Sequence, residues 1–324
     1  MNIAKTYEHL NKDLQTIEKS LDQTIQANHP VLRNAATQLL QAGGKRIRPV
    51  FVMLANQIGT YNISQTKNVA VPLELIHMAT LVHDDVIDDA ELRRGQPTIK
   101  KQYGNQVAMY TGDYLLSIAL EKIAMLKNKQ IHQVLSHAIV EVCLGEIEQI
   151  KDQFNEQQHI RHYLRRIKRK TALLIATSCK LGAIIGEAPT KIVNQLYKYG
   201  YYVGMSYQII DDILDFTSTP EELGKPTGSD LIQGNITLPT LFAMQDKHFQ
   251  EQLKQVFLQA KKHDRTLQFT ELIEMILTSD AIQRSYEVSN WYLRKALAAL
   301  EPIPNGQAKK TLQSIAHYIG QRRK

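Results

Sequence analysis

The 324-residue chain is predicted to be all-α. Nearly every segment repeats its apolar residues with the helical period, and no stretch alternates with period two between hairpin turns. Glycine and proline, the usual punctuation of such patterns, gather at the breaks.

In order along the chain, residues 1–27 and 30–42 read as amphipathic helices. The break AGGKRIRPV follows, where Gly43 and Gly44 end one helix and Pro49 suits the first turn of the next. Pro72 is expected to open the following helix in the same way, with Gly95 and Pro97 closing it. Helices are predicted at 107–126 after Gly104, at 131–150, at 171–185 before Gly186 and Pro189, and at 192–216. Residues 217–239 hold three prolines and three glycines, so no helix is expected there and the stretch reads as a long loop. Helices resume from Leu241, with Trp291 on an amphipathic one and Pro302 and Pro304 before the last. With no linker, low-complexity tract or short-period repeat, residues 1–324 read as one domain.

The formal net charge of +7 is compatible with nucleic acid, a membrane surface or an anionic small substrate. The densest basic run, RHYLRRIKRK at 161–170, has one aromatic and no RNA-binding signature, so nucleic acid is not indicated. The only cysteines, Cys143 and Cys179, lie in apolar helical patterns and are expected to be small core residues, not a disulfide or thiolate site. The N-terminus lacks the apolar region of a signal peptide, and no apolar run is long enough for a membrane span. A cytoplasmic location is expected.

Two acidic clusters carry the chemistry. Residues 73–95 place Asp84, Asp85, Asp88 and Asp89 together before Arg93 and Arg94, and a helix would bring Asp84 and Asp88 to one face. Like charges at that spacing destabilise a helix, a conflict that a divalent cation resolves. In residues 204–216, Gln208, Asp211, Asp212 and Asp215 share a face of a helix otherwise filled with core-type residues. The pattern DDxxD thus occurs twice. Oxygen ligands without His or Cys suit Mg2+, which completes its shell with water and substrate phosphates. A phosphorylated substrate follows, with Lys45, Arg46, Arg48, Arg93, Arg94, Lys170 and Lys225 as candidate phosphate contacts. No P-loop or GxGxxG turn points to a nucleotide.

GGKRIRP at 43–49, LVHDDVIDDAELRRG at 81–95, Gly112-Asp113, GEIEQ at 145–149, KTALL at 170–174, YQIIDDILD at 207–215 and GKPTGSDLIQGNITLP at 224–239 stand in the order found in trans-isoprenyl diphosphate synthases. The chain resembles that family across residues 43–239. Within it the likeness is greatest to large catalytic subunits of heptaprenyl diphosphate synthases, which make side-chain precursors of menaquinone. The resemblance implies an isoprenoid synthase-type helical bundle around a deep central cavity, usually dimeric. It implies that Asp84 and Asp88, with Asp85 in support, hold Mg2+ on an allylic diphosphate, and that Asp211, Asp212 and Asp215 serve a second wall. Arg93 would contact the allylic diphosphate, Lys45, Arg48, His77 and Arg94 would hold isopentenyl diphosphate, Lys170, Thr171 and Gln208 would face the allylic group, and Lys225 would reach the leaving diphosphate from a lid at 217–239. Where short-chain relatives carry a lysine after the loop's GxDLxxG, this chain has Asn235, as the long-chain subunits do.

The implied reaction ionises the allylic C–O bond, with metal and cationic side chains stabilising the departing diphosphate. The double bond of isopentenyl diphosphate attacks the cation, and proton loss to the released diphosphate restores an alkene. Ala79 and Thr80, one turn before Asp84, leave the growing chain unblocked, with Ile76 a turn deeper. By resemblance this implies six to eight isoprene units: a heptaprenyl product from a farnesyl primer, or hexaprenyl or octaprenyl. The chain would act with a small noncatalytic partner or as a homodimer, with transient membrane contact for product release. A phosphohydrolase using His83-Asp84 would need further histidines, a terpene cyclase would lack GGKRIRP and RRG, and a noncatalytic regulatory subunit would have degraded motifs.

Overall fold

The computed structural model describes residues 6–93, 95–220, 226–260 and 269–322. Among them the elements are α1 (Asn11–Thr24), α2 (Pro30–Gln41), α3 (Ile47–Asn56), α4 (Ile63–Ile87), a hairpin of β1 (Leu92–Arg93) and β2 (Gln96–Pro97), α5 (Ile99–Tyr103), α6 (Asn105–Ala124), α7 (Lys129–Asp152), α8 (Ile160–Ile167), α9 (Leu173–Ile185), α10 (Thr190–Thr217), α11 (Ser229–Ile232), α12 (Leu238–Ala243), α13 (Lys247–Ala260), α14 (Thr270–Thr278), α15 (Ala281–Leu300) and α16 (Gln307–Gln321). The all-α expectation holds, the two-residue strands pairing only with each other. No helix among the described residues is long and apolar enough to cross a membrane.

The chain divides into two compact units. One comprises Met1–Ile139, Leu174–Gly200 and Ala299–Ile315. Its centre is α3, where every residue from Pro49 to Asn56 is buried. Glycines allow close packing here: a Cβ on Gly182 of α9 would lie 2.3 Å from the Val52 carbonyl oxygen. Phe51 meets Tyr199 edge to face at 6.2 Å, and the Tyr199 hydroxyl donates to the Leu312 carbonyl at 2.7 Å. The longest helix of this unit, α4, packs along α6.

The start of α4 differs from the expectation. Pro72 does not open it; the helix begins nine residues earlier, capped by the Asn62 side chain accepting from Ser64 N–H at 2.9 Å and Gln65 N–H at 3.3 Å, and runs through the proline. An internal proline costs about 3 kcal/mol. Val69, Val71, Leu73, Leu75 and Ile76 around it are all buried, each side chain stabilising by roughly 1.5–3 kcal/mol, so burial overrides local propensity.

The second unit comprises Val140–Leu173, Tyr201–Ala298 and Ala316–Lys324. Its core gathers Phe216, Leu231, Ile236, Phe249, Leu253, Phe257, Phe269, Leu272 and Ile276. Phe154 stacks edge to face on Phe257 at 5.3 Å, and its N–H donates to the Gly234 carbonyl at 2.9 Å. Part of the basic run at 161–170 turns inward, while Arg161 and Arg165 are exposed. Arg166 is buried and donates to Gln158 at 3.0 Å and to the Ile236 carbonyl, while Arg169 meets Glu141 at 3.1 Å and Glu148 at 2.5 Å.

Two further expectations change. Residues 217–239 are not free of helix: α11 lies inside the stretch and α12 starts in it, because left-handed Gly228 (φ 69°) and Gly234 (φ 83°) bracket a short turn whose Leu231 is fully buried, as are Ile236 and Leu238 just after it. Asn235 is buried as well, its N–H donating to the Asp230 carbonyl at 2.8 Å. Of the two cysteines only Cys179 is core; Cys143 is exposed. Val140, Leu144 and Ile147 near it on α7 are exposed too, although Val142 is buried, so an apolar pattern did not by itself mean burial.

Gly182→Ala would force the added methyl against backbone, which cannot move aside. A loss of about 1–3 kcal/mol is expected, read as a lower midpoint in thermal or urea unfolding of the metal-free protein.

Candidate active site

The first acidic cluster sits at the C-terminal end of α4. The helix ends at Ile87, so Asp88 is its cap and not part of the helical face expected for it, but the Asp88 N–H still donates to the Asp84 carbonyl at 2.8 Å and keeps the two aspartates one turn apart. Asp84 and Asp88 are half-buried. Asp89 turns the chain with φ 53°, one of few non-glycine residues in the left-handed region. The negative end of a helix dipole is the less favourable place for carboxylates, and two pairs of them are packed there. Cations answer the charge: Arg93 on the hairpin holds buried Asp85 through Nε at 2.8 Å and Nη2 at 2.7 Å, and Lys100 pairs with Asp89. Burial pushes the Asp85 carboxyl above its usual range while Arg93 pulls it down. Thr98 ties the hairpin back, donating to the Ala90 carbonyl at 2.8 Å.

Arg93 therefore has a partner on the acidic motif itself, and a ligand diphosphate would share or displace it. The same residue lines a small cavity with Ala42, Gly43, Arg46, Glu74 and His77. That cavity brings Gly43 and Arg46 of the GGKRIRP turn together with half-buried His77 and with Arg93, while Lys45 and Arg48 are not among its lining residues. Lys45 is exposed on the turn and its carbonyl accepts from Tyr7 at 2.8 Å; Arg48 is half-buried in the first turn of α3. Arg46 is buried, paired with Glu74, and lines that cavity. Arg94 and Lys225 lie outside the described residues. Along α4 below Asp84, Thr80 is half-buried with its hydroxyl on the His77 carbonyl at 2.8 Å, while Ala79 and Ile76 are buried.

The second cluster, on α10, is more enclosed. Asp212 is 3% exposed and accepts from the Tyr163 hydroxyl at 2.7 Å and the Gln208 amide at 2.8 Å. Burial, then the charges of Asp230 and Asp211, push its carboxyl up to about 7 against those two hydrogen bonds. Asp215 is buried and accepts the Asp230 N–H at 3.0 Å, binding α11 to α10. Asp211 is the most open of the three and pairs with Arg322 just past α16. Arg322 also lies over the Tyr207 ring at 5.2 Å.

Thr171 and Gln208 meet directly, Thr171 Oγ1 donating to Gln208 Oε1 at 2.5 Å. Tyr163, Asp212, Gln208 and Thr171 thus form one hydrogen-bonded row that fixes the Gln208 amide and points the Thr171 proton at it, leaving the hydroxyl oxygen's lone pairs for another contact. Thr171 and Lys170 belong to a π-helical turn, Lys168–Ala172, and such turns concentrate at functional sites. Lys170 donates to Gln149 at 2.9 Å. Sequence reasoning missed Tyr163, Arg166, Arg322 and the role of Gln149. Tyr163 was recoverable, since Ile160, Tyr163 and Ile167 share a helical face. Arg322 carried no signal.

Mg2+ fits the first cluster by the chemistry of its donors: half-buried carboxylate oxygens at a helix C-terminus, with cationic side chains nearby for an anionic ligand. No group of three or more His, Cys, Asp or Glu that could hold a metal by itself occurs among the described residues. Mg2+ characteristically takes one or two carboxylates and its other ligands from water and phosphate. His83 packs on Gly112 with Nε2 at 3.3 Å from Asp113, and no histidine cluster of the phosphohydrolase kind forms around it among the described residues.

A carboxyl whose folded pKa is raised retains a proton that the unfolded chain releases. Its stability contribution is therefore present below the ordinary carboxylate value of 3.8 and is lost as pH rises through about 7. Metal-free wild type is expected to lose stability to urea between about pH 4.5 and pH 7.5, and Asp212→Asn to lose distinctly less. Parallel curves would mean that Asp212 is not held protonated.

The polyprenyl synthetase family model matches residues 29–276. The chain is 56% identical over 323 residues to heptaprenyl diphosphate synthase component 2 of Bacillus subtilis (strain 168), covering 100% of this chain and 92% of that one. It is similar to the crystal structure of heptaprenyl diphosphate synthase from Staphylococcus aureus, with TM-score 0.93, 44% identity and coverage of 100% and 99%. A polyprenyl synthase from Caulobacter crescentus CB15, complexed with calcium and isoprenyl diphosphate, matches with TM-score 0.93 at 27% identity, covering 100% and 98%. With an all-α fold, two aspartate motifs and a full-length match of this kind, the chain belongs to the polyprenyl synthetase family.

Proposed function

We propose that the protein is a long-chain trans-polyprenyl diphosphate synthase that adds isopentenyl diphosphate units to an allylic diphosphate, farnesyl by preference, giving heptaprenyl diphosphate for menaquinone side chains. The observation that carries this reading is the carboxylate cluster at the end of α4 next to a cavity lined by the GGKRIRP turn, His77 and Arg93. The full-length similarity to heptaprenyl diphosphate synthase component 2 supports the product length.

Asp84 and Asp88 would hold Mg2+, with Asp211, Asp212 and Asp215 as a second carboxylate set. When bound, the ion supplies positive charge to the departing diphosphate. Arg93 binds the allylic diphosphate, alternating between it and Asp85. Lys45, Arg48, His77 and Arg94 hold isopentenyl diphosphate, and Lys225 adds positive charge from the loop. Thr171, oriented by the row behind it, turns an oxygen dipole toward the allylic cation, with Lys170 and Gln208 beside it. Water is excluded, since it would quench that cation. Ile76, Ala79 and Thr80 set the room for the growing chain.

The partner is proposed to be a second, noncatalytic subunit, because relatives are named as component 2 of a synthase. Val140, Leu144 and Ile147 along one face of α7 are 45–65% exposed, an apolar stripe suited to a partner. The enzyme is proposed to be cytoplasmic, with transient membrane contact when the product leaves.

Mass spectrometry of products from the purified chain with farnesyl diphosphate, isopentenyl diphosphate and Mg2+ tests this. A ladder ending at the heptaprenyl length is expected, either from the chain alone or after extract of the source cell supplies the partner. Asp84→Ala should lower kcat/KM at least about 100-fold. Phosphate release without elongation would refute the assignment.

A further inference from the structure

Between Lys45 and Arg48 stands Arg46, whose side chain is put to a different use. It is 8% exposed and its backbone lies at φ 46° in the left-handed region. Its guanidinium reaches three helices at once: Nε lies 3.1 Å from Glu18 on α1, Nη1 lies 3.2 Å from Glu74 Oε1 on α4, and Nη2 donates to the Leu40 carbonyl of α2 at 2.9 Å. Glu74 is also buried, at 4%, and stands one turn before His77 on the cavity wall. Its second oxygen, Oε2, is buried with no hydrogen-bond partner among the described residues.

A buried ion pair is a poor way to stabilise a fold, because desolvation of both charges offsets their attraction and an apolar pair of similar volume does as well. The left-handed backbone adds strain, and the unpartnered carboxylate oxygen adds a further cost. Stability therefore does not explain the arrangement. Geometry does: the planar five-donor fork of Arg46 fixes the turn to α1, α2 and α4 together, and through Glu74 to the helical turn that presents His77.

We propose that the buried Arg46–Glu74 pair is the positioning element of the isopentenyl diphosphate subsite, holding Lys45 and Arg48 in register with His77. This rests on the assignment of that subsite above. Neither residue is catalytic; both act through the cations they place. The assignment gives the allylic substrate to Arg93 and the metal cluster.

The test is the full-length double variant Arg46→Met/Glu74→Leu, which removes both charges together so that neither is left buried alone. Its thermal midpoint should stay near wild type while KM for isopentenyl diphosphate rises about 10- to 100-fold, with kcat and KM for the allylic primer changed less than about twofold. A purely structural pair would move the midpoint and leave that split absent, and an unchanged KM for isopentenyl diphosphate in the folded variant would overturn the proposal. Should the double variant fail to fold, Arg46→Lys, which keeps the charge and loses the fork, decides by the same split. Calorimetric binding of isopentenyl diphosphate, compared between wild type and variant, reads the pair without turnover. A wild type that binds it but does not elongate would count against the assigned function and not against the clamp.

Discussion

The crowding of aspartates at the negative end of α4 is the constraint from which the chemistry follows. Backbone carbonyls that end a helix already carry partial negative charge, and Asp84, Asp85, Asp88 and Asp89 add to it within two turns. The local structure after the helix is largely an answer to that charge: Arg93 is brought back by a hairpin to Asp85, Lys100 to Asp89, and Thr98 ties the return strand to the helix end. Asp84 and Asp88 of the same cluster are held one turn apart by a backbone hydrogen bond. The divalent cation and anionic ligand proposed above would complete the balance, and the cations of the neighbouring cavity suit that ligand.

The same five-letter pattern on α10 has a different physical character. It lies within the last two turns of α10 and not at its cap, and packed elements enclose it. Asp212 and Asp215 are committed to internal bonds, the first orienting Gln208 and Thr171 and the second anchoring the turn that carries Asp230. Asp211 alone keeps substantial exposure, balanced by Arg322. Two motifs of one pattern thus stand in different settings, one at the end of a helix and one bonded into the interior of its unit.

The sequence pattern made the all-α class, most helices and the two acidic clusters legible, because helical period and i, i+4 spacing are local properties. Tertiary burial was not legible. Pro72 inside α4 is tolerated only because its apolar neighbours are buried, and the stretch at 229–239 is packed because its Leu231 and Ile236 find a core formed by distant residues. The basic run at 161–170 advertised a charged surface, yet Arg166 and Arg169 turn to acceptors far away in sequence. At the site, residue types were readable and partners were not: nothing local links Tyr163 to Asp212, Arg322 to Asp211 or Arg46 to Glu74.

The most direct test of the central claim, that Asp84 and Asp88 hold the cation, is electron paramagnetic resonance of Mn2+ titrated into the protein with inorganic diphosphate present. Wild type should take up the ion cooperatively with diphosphate, and Asp84→Asn/Asp88→Asn should lose that uptake while still unfolding at a temperature near wild type. Equal uptake in the two proteins would place the metal elsewhere and contradict the account.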